Sequence, residues 1–558
     1  MKVWLFFRTA FLDKIKIPQK MRKLITIFLL AVLGSTYGQD VFTEQDTLRG
    51  SITPERAWWD LNYYHLNIEV KPDEKFISGS NTIRYKVLEE SQTLQVDLQP
   101  PLKIDKITQD GKVLQFDTNG NAHFVSLTKT QIKGAFNEII VHYSGMPKEA
   151  ARAPWDGGFS WKKDSNGKHF VATSCQGLGA SVWWPNKDHM YDEVDSMAIS
   201  VKVPKGLMNV SNGRLRKVDK KTNTYHWFVS NPINNYGVNV NIGDYVHFGE
   251  KYKGEKGPLD MDYYVLRKNL QKAKKHFKDA PKMMKAFEHW FGPYPFYEDS
   301  FKLVQVPYLG MEHQSSVTYG NQFKKGYLGR DLSRTGWGLK FDFIIVHEAG
   351  HEWFANNITY KDIADMWVHE GFTCYSESLF LDYHYSTKAA EEYVIGLRQN
   401  IKNDKPIIGT YNVNQEGSSD MYYKGSNMLH TLRQWVNNDE KWRQILRGLN
   451  KDFYHQTVTT AEIEDYLCKH TEIDLMAFFN QYLRTTKIPM LEYKINENVI
   501  KYRYTNVVKG FNMPIRVFLG NEQKWLIPAS KWKNEDLGSK LSIMEIDKNF
   551  YIESQELK

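Results

Sequence analysis

Apolar and polar positions alternate along the first half of the chain. In 63–70 (Tyr-Tyr-His-Leu-Asn-Ile-Glu-Val) and 93–98 (Thr-Leu-Gln-Val-Asp-Leu) every second side chain is apolar, the period of a strand with one buried face. Pro72-Asp73, Asp110-Gly111 and Asn119-Gly120 break the pattern with turn chemistry. An all-β domain is therefore predicted over residues 50–265. The period changes near Leu266. Residues 270–290 are rich in Lys, Ala, Met and Phe at helical spacing and stop at Gly292-Pro293, after which 300–306 reads as a strand. Helices are predicted over 341–354, 366–384, 389–401, 425–438 and 441–453. Alternation returns after Pro489, as in Leu491-Glu492-Tyr493-Lys494-Ile495. The expected architecture is multidomain α+β: an N-terminal β-sheet domain, a mainly helical domain over 266–489 and a small C-terminal β domain over 490–558.

Composition agrees with this division. A chain of 558 residues exceeds one ordinary core, and 41% hydrophobic with 25% charged residues is enough to bury a sizeable one. The net charge of +8 arises from 73 basic and 65 acidic residues without a long Lys/Arg block, which argues against a nucleic-acid partner. Cys175, Cys374 and Cys468 lie far apart, so neither a disulfide framework nor a Cys-x-x-Cys metal clip is expected. Residues 1–38 read as a leader. Met21-Arg22-Lys23 precedes an apolar run from Leu24 to Leu33 and the small residues before Gln39, the layout of a secretory signal. That pattern predicts export, periplasmic or secreted, with a short membrane anchor as its alternative and Met21 as a second candidate start. The run is too short to span a bilayer comfortably, so stable insertion is not expected.

The candidate chemistry sits on the helix predicted over 341–354. His347-Glu348-Ala349-Gly350-His351 follows the apolar stretch Phe343-Ile344-Ile345-Val346. Residues four apart share a helical face, so both imidazoles can reach one cation, and Glu348 lies about 100° around the helix beside it. Imidazole nitrogen suits zinc, and a catalytic zinc needs a third protein ligand and an open position. Glu370 follows His351 after 18 residues. On one continuous helix it would lie about 28 Å away, so it must return on a second helix, for which the polar run from Asn356 to Asp362 supplies the break. The adjacent His369 is read as structural.

The set His-Glu-x-x-His, 18 residues, then Glu in Trp367-Val368-His369-Glu370-Gly371 resembles the aminopeptidase N family of gluzincin zinc metallo-aminopeptidases, relatives of the leukotriene hydrolases. Four further segments resemble that family in order: Trp290-Phe291-Gly292-Pro293-Tyr294-Pro295, Gly310-Met311-Glu312-His313, Tyr422-Tyr423-Lys424-Gly425 and the stretch from Asp474 to Pro489. The resemblance covers about residues 55–490. It implies a thermolysin-like catalytic domain, one zinc per chain held by His347, His351 and Glu370, and peptide substrates with a free N-terminus. It further implies Glu348 as the base that activates water and Tyr422 as the donor to the oxyanion. Glu312 and Gln176 would bind the substrate amine, Gly310, Met311 and Tyr308 would line the first side-chain pocket, and Glu377 would support a ligand histidine. His313 stands where the family has asparagine. A zinc endopeptidase, an epoxide hydrolase and a non-catalytic peptide-binding homologue share parts of the pattern; Glu312 argues against the first, and the intact ligand set and Glu348 against the last. The tail after Pro489 is shorter than the helical C-terminal region of many family members, which leaves substrate size and oligomeric state open.

Overall fold

A computed structural model describes residues 41–520, 522–537 and 544–557. The leader pattern at 1–38 lies outside these residues. No helix among the described residues is long and apolar enough to cross a membrane, and all three cysteines are free.

The N-terminal region is built on a ten-stranded sheet. Its strand Trp59–Lys71 pairs antiparallel with Phe76–Val87 on one side and parallel with Ser196–Lys202 on the other. The core face of this strand changes phase part-way along. Trp59 and Leu61 are buried first, then Tyr64, Leu66, Ile68 and Val70. A register shift between Leu61 and Tyr63 inserts one residue at that point, which moves the inward face from odd to even positions. A second sheet runs in the order Met208–Val210, Asn241–Gly243, His169–Ser174, Gly158–Lys163. Trp59, Tyr64, Trp183 and Trp184 belong to the core this region encloses. The strand His169–Ser174 ends just before Gln176, so this sheet delivers that side chain to its position.

Strand pairing continues past residue 265. The hairpin Tyr245–Gly254 and Gly257–Leu266 is joined through its second strand to Phe301–Gln305, then to Val317–Tyr319 and Gly310–Met311. The helices pack beside this sheet. The stretch predicted as one helix over 270–290 is two, Leu270–His276 and Asp279–Phe291. The motif helix, Phe343–Gly350, is shorter than 341–354 because Asp342 caps it and His351 already lies at its C-cap. The Glu370 helix is Trp367–His384, and Thr387–Leu397, Tyr423–Val436 and Asp439–Asp452 follow. Trp353 packs edge-on against Phe287 and Tyr294 at ring separations of 5.6 and 5.7 Å, backing the motif helix with an aromatic core. The C-terminal strands form two small sheets, one around Met490–Asn496 and Val499–Thr505 and one around Ile515–Leu519. Leu491, Tyr504 and Phe511 join the same core as Phe479 and Tyr482 of the last helix, Met476–Arg484.

One buried ion pair anchors the segment before the first strand. Arg56 is fully buried, donates to the carbonyls of Leu48, Arg49 and Ser51, and meets the Asp97 carboxylate at 2.6 Å. Arg56→Met would leave the Asp97 charge in the interior without its cation. A loss of about 3–5 kcal/mol in chemical denaturation is expected; a loss below about 1 kcal/mol would mean that the Asp97 amide contacts suffice.

Candidate active site

Asp342 fixes the start of the motif helix. Its carboxylate accepts from the Ile344 and Ile345 amides at 3.0 and 3.2 Å, from Tyr319 at 2.8 Å and from Asn321 at 2.9 Å. An N-cap thus also fastens the helix to the sheet. Backbone approach sets its other neighbours. A Cβ on Gly350 would lie 2.6 Å from Ser376 Oγ of the Glu370 helix, and one on Gly310 would lie 2.6 Å from Ile344 and 3.1 Å from Glu348 Oε1. Helix Tyr423–Val436 meets the Glu370 helix at two glycines, a Cβ on Gly425 falling 3.1 Å from Gly371 Cα. That approach brings Tyr422, immediately before the helix, to the ligands.

Ligand atoms of His347, His351 and Glu370 all lie within 4.8 Å of one another, and all three residues are buried. The outer nitrogen of each imidazole is committed elsewhere. His347 Nδ1 is 2.7 Å from Glu377 Oε1, and Tyr393 donates to the other Glu377 oxygen at 2.5 Å. His351 Nδ1 is 3.0 Å from both the Phe354 carbonyl and Thr373 Oγ1. The two Nε2 atoms therefore face Glu370 Oε2, at 3.7 and 3.3 Å. That oxygen is buried without a hydrogen bond. Two imidazole nitrogens converging on an orphaned carboxylate oxygen are the donor set a tetrahedral zinc site uses, so the residues fit the ion.

Electrostatics follow from burial. Burial alone would lower the His347 pKa, but Glu370 and Glu377 reverse this and raise it well above the ordinary value. Burial would raise Glu370, but His351 and His347 hold it below the carboxylate range. Glu348 is pushed up by burial, with the histidines opposing and Glu312 reinforcing. Its carboxylate makes no hydrogen bond among the described residues and borders the cavity.

That cavity, of about 720 Å³, is lined by Gln176, Gly310, Met311, Glu312, Tyr422 and Glu377 as well as by the cluster. Gln176 Nε2 donates to Glu312 Oε1 at 2.6 Å and to Glu370 Oε1 at 3.1 Å, linking the β domain to both carboxylates. Tyr308 is the one sequence-derived site residue away from this wall. It is buried, its hydroxyl donating to the Thr173 carbonyl at 2.7 Å. His313 also faces away, towards Thr318 Oγ1 at 3.3 Å, and burial lowers its pKa to about 3, so it is neutral. His369 accepts from the Tyr360 amide at 2.9 Å and lies outside the cluster. Four neighbours of the site carry no sequence motif. They are Tyr393 on Glu377, Thr373 on His351, Asn356 donating to the Glu312 carbonyl at 2.8 Å, and Tyr236, whose hydroxyl is 3.5 Å from His369 Nδ1.

His347, His351 and Glu370, on two buried helices and opening into a cleft that Gln176 of the β-sheet region also lines, form a candidate metal site. Residues 276–482 match the model of the peptidase family M1 domain. Curated relatives include a leukotriene A-4 hydrolase of Xenopus laevis, 23% identical over 74% of this chain and 68% of its own length. An aminopeptidase N of Lactobacillus helveticus is 23% identical over 88% of this chain and 57% of its own length. A tricorn protease-interacting factor F2 of Thermoplasma acidophilum is 22% identical, and the match spans 44% of its length. Among solved structures, an M1 zinc metallopeptidase variant of Deinococcus radiodurans bound to a Tyr-Ser-Ala substrate superposes with a TM-score of 0.65 at 18% identity, over 78% of this chain and 96% of that one. The shared fold includes the N-terminal β-sheet domain and the helical region.

Glu377→Gln removes the anion that orients His347. Zinc affinity, read by competition with a chromophoric chelator, is expected to fall by about 10–100-fold; unchanged affinity would mean that packing alone aligns the imidazole.

Proposed function

We propose that the chain is a zinc-dependent aminopeptidase that removes single residues from the N-termini of peptides. One observation carries this reading. Ligand-type atoms of Glu312, Glu348 and His351 all lie within 4.8 Å of one another. An amino acid spans about 3.6 Å along an extended chain, so an α-amine held by Glu312 leaves only the first peptide bond beside Glu348. A chain without a free amine at that position would leave the buried Glu312 charge unpaired, which supports an exopeptidase over an endopeptidase.

His347, His351 and Glu370 would hold one zinc per chain, since the two candidate ligand groups share His351. When bound, the ion supplies Lewis acidity to the peptide carbonyl and acidity to water. The remaining steps belong to the protein. Glu312 and Gln176 receive the α-amine, Gln176 orienting the carboxylate through its amide. Gly310 and Met311 border the first side chain, a role we do not extend to Tyr308. Glu348 accepts a proton from the attacking water at a carboxylate oxygen and later returns it to the departing nitrogen. Tyr422 donates a hydrogen bond from its phenolic hydroxyl to the developing oxyanion; burial, with Glu370 and Glu312, raises its pKa well above the usual value, so it stays a neutral donor. Glu377 steadies His347. We read the peptidase part as 266–489 with the hairpin 245–266 attached to its sheet, flanked by the β domain and the C-terminal strands. Export is inferred from the leader pattern alone.

Glu348→Gln is expected to keep zinc at wild-type stoichiometry while kcat falls by at least about 10²–10⁴-fold. An active, zinc-loaded variant would point to another base. Wild-type enzyme should cleave a free tripeptide and leave its N-acetylated form essentially intact; similar rates on both would remove Glu312 as an amine site. Chelation should abolish activity, and zinc should restore it.

A further inference from the structure

The cavity holding the ligand cluster is lopsided in charge. Asp156, Glu312, Glu348, Glu370, Glu377 and Glu416 border it, whereas Lys402 is the one lysine or arginine among the described residues of its wall. Lys402 is exposed, and its ammonium donates to Ser419 Oγ at 3.1 Å, a neutral partner. No carboxylate among the described residues lies within ion-pairing distance of it. The nearby Asp404 is engaged by the Ser418 hydroxyl at 2.5 Å and the Lys405 amide at 2.9 Å.

The position of this cation is built. The Lys402 and Asn403 amides donate to the two oxygens of Asp420, at 2.8 and 2.6 Å. Asp420 is buried in the 3₁₀ turn Ser419–Met421, which runs directly into Tyr422. The segment carrying the ammonium is therefore fastened to the turn that carries the phenol.

We infer that Lys402 recognises the C-terminal carboxylate of short peptide substrates. The inference rests on the aminopeptidase reading. Glu312, Glu348, Tyr422, Ser419 and Lys402 border one cavity, so a peptide that runs from Glu312 past Glu348 and Tyr422 would carry the residues after the scissile bond along the wall of Ser419 and Lys402. The 3₁₀ turn rises about 6 Å from Ser419 to Tyr422, and an extended peptide advances about 3.3–3.6 Å per residue. A carboxylate one to three residues beyond the cut falls within the compass of a long, exposed lysine. A short peptide is a zwitterion, and the cleft presents an anion to its amine end and a cation to its carboxylate end. A long polypeptide gains nothing at Lys402, because its terminal charge lies elsewhere. The site thereby selects for length.

The test compares the zinc-loaded full chain on Leu-Gly-Gly as free acid and as C-terminal amide. Wild type should favour the acid by about fivefold in kcat/KM, expressed in KM and shrinking at high salt. Lys402→Met should bring the ratio near one, Lys402→Arg should restore it, and Lys402→Glu should invert it. Both substrates are read on one preparation, so any loss of folded enzyme cancels from the ratio. A wild-type ratio near one, or a ratio that Lys402→Met leaves unchanged, overturns the inference while sparing the aminopeptidase reading. Failure of wild type to cleave any free-amine peptide overturns that reading, and this inference with it.

Discussion

Four carboxylates, Glu312, Glu348, Glu370 and Glu377, are buried around two imidazoles, and the rest of the structure is arranged to make that tolerable. A buried ion left without partners costs several kcal/mol even after relaxation. Partners come from both large regions: Tyr393 and His347 for Glu377, Gln176 for Glu312, Gln176 and both histidines for Glu370. Two imidazoles, even if protonated, offset only two of the four charges. A divalent cation held by neutral imidazoles would take the place of those two positive charges and would satisfy the orphaned Glu370 oxygen. Glu348, with no hydrogen bond among the described residues, is the carboxylate left available to water.

Geometry at this site is a matter of backbone approach more than of side-chain choice. Gly310 lets a strand end touch the motif helix, Gly350 lets that helix touch the Glu370 helix, and the pair Gly371 and Gly425 lets the helix after Tyr422 close the third side. A methyl group at any of these contacts would press on a neighbouring backbone, a buried side chain or the Glu348 carboxylate. Gly310 in particular has a packing role alongside its place on the cavity wall.

The metal cluster was legible because its information is mostly local. His347 and His351 are four residues apart on one helix, and a family-type spacing marks Glu370. Strand alternation was legible for the same reason; the adjacent Tyr63-Tyr64, where the apolar positions switch from odd to even, is the trace that the bulge at Leu61 leaves in the pattern, and it went unread. What escaped is long-range. Tyr393, Asn356, Tyr236 and the Arg56–Asp97 pair acquire meaning only through partners brought in from distant elements. Tyr308 shows the converse. A motif-adjacent aromatic suggested pocket lining, but the Thr173 carbonyl offered its hydroxyl a buried partner and turned it into the β domain. Helix ends were misjudged where a side chain decides them, as at Asp342.

The division of labour between the two large regions explains why the candidate metal-binding helix pair alone would not give the proposed specificity. The helical region supplies both histidines, Glu348, Glu370 and Tyr422, to which the proposed mechanism assigns the hydrolysis itself. Restriction to the first bond needs a charge fixed one residue away from the base, and a buried carboxylate such as Glu312 holds its aim only if something hydrogen-bonds it. The β domain does this by carrying Gln176 to the end of a strand, where one amide group reaches Glu312 and Glu370 together. Because that amide also spans to a metal ligand, displacement of the β domain would disturb amine recognition and the ligand geometry at once. The interface between the regions is thus part of the candidate active site, and the exopeptidase character of the proposed reaction resides in it.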